Sequence, residues 1–263
     1  MLQNLNIDTI KNIAYKSGEK ILEIYNDSDF SQVVDFKTDN SPLTLADKAS
    51  HHVIVPALKQ AYPDIPIISE EGKDIPYETR KNWEYFWLVD PLDGTKEFIK
   101  RNGQFTVNIA LIYHHRPVFG IVYTPVPDEL YYGLATDVEG TPAGAYKQTG
   151  NNSPMQIQVS HKKENRIAVR SSSHASPEEE TLLAQYGVKE SISKGSALKF
   201  CMVAEAKADI YYRHGPTMEW DTAAGQAVVE AAGGKVYKGN TTDEIFTYNK
   251  VSLLNGSFLV LGF

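Results

Sequence analysis

The chain is poor in cysteine: Cys201 is the only one among 263 residues. No intrachain disulfide framework is possible, and a reducing compartment is expected. Its neighbours Leu198, Phe200, Met202 and Val203 mark Cys201 as a small buried hydrophobe rather than a reactive thiol. Long apolar runs are also missing, and none approaches the ~20 residues of a membrane span. The first residues lack the basic-then-apolar pattern of a signal peptide, so a cytoplasmic location is expected. That location is compatible with peripheral contact at the cytoplasmic face of a membrane. Positive charge is in deficit, with 26 Lys and Arg against 33 Asp and Glu, a net charge of −7 and a pI near 5.5. Such a balance argues against a nucleic-acid surface. There is no internal repeat, coiled-coil heptad or low-complexity tract.

What the chain does have is acid at the ends of apolar runs. Tyr85 to Val89 reads as a buried strand ending on Asp90-Pro91-Leu92-Asp93, and Gly94-Thr95 then opens a helix. Ile65-Pro66-Ile67-Ile68-Ser69-Glu70-Glu71 is a second apolar run closed by acids. Met218-Glu219-Trp220-Asp221 places acids at the start of a small-residue helix. One such end is an ordinary capped turn; three in one chain are hard to explain as coincidental caps. Converging carboxylates hold Mg²⁺ and free helix N–H groups hold phosphate, which suits metal-assisted phosphoryl chemistry.

Hydrophobic content of 42% and charged content of 22% suit a soluble globular protein with a sizeable core. The pattern predicts a helix over 8–25, a strand over 33–36, a polar loop over 38–44 and a helix from 44 to about 61. A polar segment between Glu70 and the next strand is expected to be mobile. Apolar runs over 105–113, 118–123 and 130–135 predict an antiparallel meander. Beyond Asn151-Asn152-Ser153-Pro154, a candidate linker, strands and helices alternate: strand 167–169, helix 177–186, strand 188–192, helix 196–206, strand 209–212, helix 222–232, strand 235–237 and strand 258–261. Alternation of this kind indicates α/β layering. The expected division is 1–154 as an α+β half and 155–263 as an α/β half.

In order along the chain, Pro42-Leu43-Thr44-Leu45-Ala46-Asp47, Ser69-Glu70-Glu71, Asp90-Pro91-Leu92-Asp93-Gly94-Thr95 and Trp220-Asp221-Thr222-Ala223-Ala224-Gly225 resemble the inositol monophosphatase superfamily of Mg²⁺-dependent, lithium-sensitive phosphatases. The resemblance spans almost the whole chain and implies a layered αβαβα sandwich. Within the superfamily the chain looks most like the 3′(2′),5′-bisphosphate nucleotidases. The residues that carry this are Asp39-Asn40-Ser41-Pro42, the run from Gly195 to Cys201, and Tyr211-Tyr212-Arg213 before Gly215-Pro216-Thr217-Met218-Glu219-Trp220-Asp221.

The resemblance implies that Glu70, Asp90 and the Leu92 carbonyl hold one Mg²⁺, and that Asp90, Asp93 and Asp221 hold a second, with two or three ions in all. It implies that Thr95, backed by Asp47, takes the proton of an attacking water, with Glu70 counted as catalytic beside them. Residue type alone leaves Asp47 equally a helix cap and Thr95 a helix start, while Glu71 is as readily solvated as ligating. The implied substrate-binding set is Glu70, Leu92, Asp93, Gly94, Thr95, His174, Ser196, Lys199, Arg213 and Asp221. Main-chain N–H groups of Gly94 and Thr95 would meet the scissile phosphate, while Ser196, Lys199 and Arg213 would meet the nucleotide and its second phosphate. His174 reads equally as a loop histidine. Without cations such crowded carboxylates are expected to show either disorder or raised proton affinity. His51-His52 and the three tryptophans, Trp83, Trp87 and Trp220, read as structural.

The implied activity is hydrolysis of the 3′-phosphate of adenosine 3′,5′-bisphosphate, extending to its sulfated precursor, by a monomer or weak homodimer acting on a small-molecule nucleotide. The alternatives are an inositol or sugar phosphatase of the same superfamily, and a metal- and nucleotide-binding module without turnover.

Overall fold

The computed structural model describes residues 5–27, 34–36, 42–138, 140–171 and 177–263, with only the backbone described at 34–36 and 42–44. The chain begins with helix α1 (Ile7–Tyr25), whose N-cap Asn6 accepts the Thr9 N–H at 2.8 Å. Its stripe of Ile10, Ile13, Ala14 and Ile21 is buried. Strands β1 (Val34–Phe36) and β2 (Pro42–Thr44) pair antiparallel, so the end of the expected polar loop is a short strand. Helix α2 (Leu45–Ala61) follows directly.

Strand β3 (Ile67–Ser69), the single-turn helix α3 (Tyr77–Arg80), strand β4 (Tyr85–Asp93) and the single-turn helix α4 (Thr95–Ile99) carry most of the acidic motifs. The meander continues through β5 (Thr106–Tyr113), β6 (Arg116–Thr124), β7 (Glu129–Leu134), β8 (Gly144–Thr149) and β9 (Met155–Ile157). Together β3 to β9 form a seven-stranded sheet in sequence order, antiparallel except where β3 runs parallel to β4. The sheet therefore crosses position 154, and residues 151–154 lie in the turn between β8 and β9.

The remaining elements are β10 (Arg166–Arg170), α5 (Pro177–Gln185), β11 (Val188–Ser193), α6 (Leu198–Ala204), β12 (Ile210–Arg213), β13 (Thr217–Met218), α7 (Glu219–Ala231), β14 (Lys235–Lys238), β15 (Leu254–Asn255) and β16 (Phe258–Leu261). Five of these strands make a second sheet, ordered β11-β10-β12-β16-β14.

Side chains on a strand alternate between faces, and here both faces of the first sheet are covered. Trp87, Val89, Val107 and Ile109 pack against α1 and α2. Phe86, Leu88, Ala110 and Val122 face α6 and α7, which lie between the two sheets. Beyond the second sheet, Leu182 and Leu183 of α5 cover Ala168, Ile210 and Leu259. The result is five layers, helix–sheet–helix–sheet–helix, as the family resemblance implied. Double burial explains why these strands read as continuous apolar runs. Glycine lets α7 approach the first sheet: a Cβ at Gly120 would stand 2.6 Å from the Ala224 carbonyl oxygen, and one at Gly133 2.6 Å from that of Ala227.

Candidate active site

The Asp90-Pro91-Leu92-Asp93 segment does not follow its strand but forms its bulged end. Asp90 pairs with Asn108 and Asp93 with Thr106, so β4 uses three steps where β5 uses two. A bulge of this kind re-aims side chains. Here it brings two carboxylates on one strand toward the same region. The Ser50 hydroxyl, buried on α2, donates to the Pro91 carbonyl at 2.7 Å and stands 2.6 Å from Ser17 Oγ on α1. Because the Ser50 proton is spent on Pro91, Ser17 donates to Ser50, and the pair pins the bulge from behind.

Glu70 is set beside this end by its N–H, which donates to the Val89 carbonyl at 3.1 Å as β3 runs parallel to β4. Asp47 lies in the first turn of α2 and is buried. Asp221 occupies the first turn of α7, where one carboxylate oxygen accepts the Met218 N–H at 2.8 Å. Likewise Asp90 accepts the Leu92 N–H at 3.1 Å, and Asp93 the Ala197 N–H at 2.6 Å. Each of these three acids thus spends one oxygen on a main-chain donor.

Burial first, and then the charges of Glu70, Asp93, Asp221 and Asp47, push the Asp90 carboxyl well above the usual carboxylate range. Burial and the Asp93 charge do the same to Asp221. The Asp93 carboxyl is also raised by burial, against the pull of Lys199 and the Ala197 N–H. The expectation of raised proton affinity therefore holds at these three acids. Among the described residues no three acid, histidine or cysteine side chains converge on a point at ligand spacing. The donors are all oxygen, which fits a hard divalent cation such as Mg²⁺.

Gly94 is the residue before α4 and has φ 93°, a conformation that favours glycine. A Cβ there would stand 3.2 Å from both the Gln104 carbonyl oxygen and Ser196 Cβ. Thr95 begins α4. That helix is a single turn of five residues, so its first N–H groups have no intrahelical partners but its macrodipole is small.

A cavity of 190 Å³ joins Asp93, Gly94 and Asp221 to Ser196, Lys199 and Arg213. These six expected residues come from both halves of the chain. Lys199 is buried on α6, and its ammonium donates to the carbonyls of Ser196 at 2.7 Å and Lys194 at 3.4 Å. Burial lowers its pKa to about 8, opposed by Asp93 and assisted by Arg213. Arg213 Nε donates to the Gly215 carbonyl at 3.3 Å, and its charge lies close enough to Asp221 to favour that carboxylate. The cavity thus has an acidic floor and a basic wall. Glu70 faces a neighbouring cavity of 470 Å³ with Met218 and Trp220. Asp47, Asp90, Leu92 and Thr95 line neither cavity, and His174 lies outside the described residues.

The chain matches the inositol monophosphatase family over residues 3–260. This protein belongs to that family. Over 97% of its length it is 44% identical to the 3′(2′),5′-bisphosphate nucleotidase CysQ of Escherichia coli (strain K12), covering 98% of that chain. It is 43% identical to the protein of the same name from Salmonella typhimurium, again over 97% and 98% of the two chains. Among solved structures it is similar to CysQ from Bacteroides thetaiotaomicron, a bacterial member of the inositol monophosphatase family. That match has a TM-score of 0.82 and 44% identity over 97% and 96% of the two chains. Inositol monophosphatase family phosphatases are metal-dependent, as the oxygen-only acid cluster suggests.

Three further residues were not anticipated. Glu219 sits in the acidic Met218–Asp221 motif but points away from the cluster. It is fully buried, accepts the N–H groups of Asn249 and Lys250 and pairs with the Lys250 ammonium at 2.6 Å. Thr106 and Asn108 of β5, both buried, stand opposite Asp93 and Asp90. Two polar residues in the run Thr106-Val107-Asn108-Ile109-Ala110 were the visible signal. Cys201 is buried and its thiol pKa raised by that burial, in line with a packing role. His51 holds Ser69 Oγ at 2.9 Å, a structural contact.

Proposed function

We propose that this protein is a 3′(2′),5′-bisphosphate nucleotidase that releases the 3′-phosphate of adenosine 3′,5′-bisphosphate, and of its sulfated precursor, to clear a by-product of sulfur assimilation. The single observation that carries the substrate reading is the placement of Lys199 and Arg213 in the same cavity as Asp93 and Asp221. A monophosphate needs only the acidic floor with its cations. A second phosphate needs fixed positive charge a short distance away, and the basic wall supplies it.

Glu70, Asp90, Asp93, Asp221 and the Leu92 carbonyl would hold two or three Mg²⁺ ions. Bound there, they supply the field that lowers the pKa of an attacking water and neutralises the leaving oxygen. The protein's own residues do the rest. Gly94 and Thr95 N–H groups orient the scissile phosphate. The Thr95 hydroxyl accepts the water's proton and passes its own to Asp47. Ser196, Lys199 and Arg213 hold the nucleotide and its 5′-phosphate. No covalent bond to the enzyme is needed.

The test is phosphate release from adenosine 3′,5′-bisphosphate by the wild type and by Asp90→Asn. Release by the wild type and a loss of ~10³-fold in the variant is expected, as for removal of a central charge-stabilising group. Equal traces from both proteins would leave a binding module without turnover.

A further inference from the structure

Three aromatic rings, Phe200, Tyr211 and Phe258, line the cavity beside Lys199 and Arg213. Alternate side chains on a strand face opposite ways. On β12, Ile210 and Tyr212 turn toward α5, while Tyr211 and Arg213 turn toward the cavity. Tyr211 is 3% exposed and meets Phe200 and Phe258 edge-on, each at 5.4 Å between ring centroids. The Lys199 ammonium stands 5.3 Å from the centroid of the Tyr211 ring. The packing thus fixes the ring, yet no described residue makes a hydrogen bond with the Tyr211 hydroxyl, which is not sealed in the core but borders the cavity. A buried phenol usually finds a partner, and one left without costs stability.

Lys199 gives two of its three ammonium hydrogens to the Ser196 and Lys194 carbonyls. Arg213 gives its Nε hydrogen to Gly215, and its terminal nitrogens have no partner among the described residues. One ammonium hydrogen, the guanidinium fork and the Tyr211 hydroxyl therefore remain to meet a ligand rich in acceptors. We propose that Tyr211 is a further substrate-binding residue, whose hydroxyl donates to the second phosphate of the bisphosphate beside Lys199 and Arg213. Burial raises the phenol pKa against the pull of Arg213, so the group stays a neutral donor. Being neutral, it adds a contact to the phosphate without a third cation to desolvate. The inference rests on the nucleotidase reading above, because that reading places a second phosphate at this wall.

The experiment compares Tyr211→Phe with the wild type on adenosine 3′,5′-bisphosphate and on adenosine 3′-monophosphate, which lacks the second phosphate, both in Mg²⁺. The phenylalanine ring keeps the contacts with Phe200 and Phe258. Because the hydroxyl has no protein partner, the melting temperature should not fall. KM for the bisphosphate should rise about tenfold, the value of one hydrogen bond to a charged group, with kcat little changed. For the 3′-monophosphate, kcat/KM should stay at the wild-type value. Isothermal titration with adenosine 5′-monophosphate, the product that keeps the second phosphate, should show the same loss of affinity without any turnover. An unchanged KM for the bisphosphate, or an equal loss on both substrates, overturns the inference alone. A lowered melting temperature would reveal a protein partner for the hydroxyl and overturn it as well. Wild-type protein that releases phosphate from neither nucleotide overturns the nucleotidase reading, and the inference with it.

Discussion

Arg80 and Asn249 hold each other by two reciprocal hydrogen bonds, from Arg80 Nη1 to Asn249 Oδ1 at 2.8 Å and from Asn249 Nδ2 to the Arg80 carbonyl at 2.9 Å. Arg80 also donates to the carbonyls of Lys250 and Val251. The polar segment after Glu70, expected to be mobile, is therefore anchored at α3 to the C-terminal half. Asn249 N–H binds Glu219, two residues before Asp221, so the anchor reaches that acidic motif.

Arg80→Ala leaves several buried acceptors without donors and should cost about 3 kcal/mol of stability. Urea denaturation measures that loss. If the anchor also sets Glu70, the Mg²⁺ concentration for half-maximal activity should rise in the variant. An unchanged metal requirement would confine Arg80 to stability.

Stability of the metal-free protein should depend on pH in a sense opposite to ordinary acid denaturation. A raised carboxyl pKa means the native state keeps protons that the unfolded chain releases. Stability should therefore fall as pH rises from the usual carboxylate value of about 4 through the raised values of Asp90, Asp93 and Asp221. Mg²⁺ should raise the melting temperature most at neutral pH and less near pH 5, because cations and protons compete for the same oxygens. Asp90→Asn should raise the metal-free melting temperature while lowering activity by ~10³-fold. Thermal scans across pH, with and without Mg²⁺, read all three outcomes.

Lys199 should impose a basic limit on nucleotide binding. Its ammonium is lost as pH rises through about 8, so KM for the bisphosphate should climb above that pH while kcat changes little. Lys199→Gln should raise KM by ~10- to 100-fold, the loss of one charge-assisted contact, and remove the pH dependence. Steady-state kinetics from pH 7 to 9.5 separate the two parameters.

Gly120→Ala tests the packing of α7 against the first sheet. The added methyl would meet the Ala224 carbonyl oxygen at 2.6 Å and Ala224 Cα at 2.8 Å, both backbone atoms. A destabilisation of roughly 1–3 kcal/mol is expected for such overpacking, measurable by urea denaturation.

The buried strands were legible because burial on both faces leaves apolar runs such as Tyr85–Val89 uninterrupted, while their stacking into five layers followed from the family resemblance. The edge of the first sheet was not legible. Strand β8 (Gly144–Thr149) is half-exposed and β9 (Met155–Ile157) has two exposed residues of three, so neither shows a period. The acidic motifs could be read as sites, yet the bulge that aims Asp90 and Asp93 depends on pairing with β5, which no local pattern reveals. Glu219 and Asp221 look alike in sequence. Only the fold shows that one serves Lys250 and Asn249 while the other joins Asp93. The approach of Thr106 to Ser196, ninety positions away, is likewise a product of tertiary packing.

The most direct measurement compares phosphate release from adenosine 3′,5′-bisphosphate and inositol 1-phosphate in Mg²⁺, with and without lithium. A basic wall built for a second phosphate predicts fast, lithium-blocked release from the nucleotide and little from the inositol phosphate. Preference for inositol 1-phosphate would contradict the assignment of Lys199 and Arg213 and leave only the acidic floor standing.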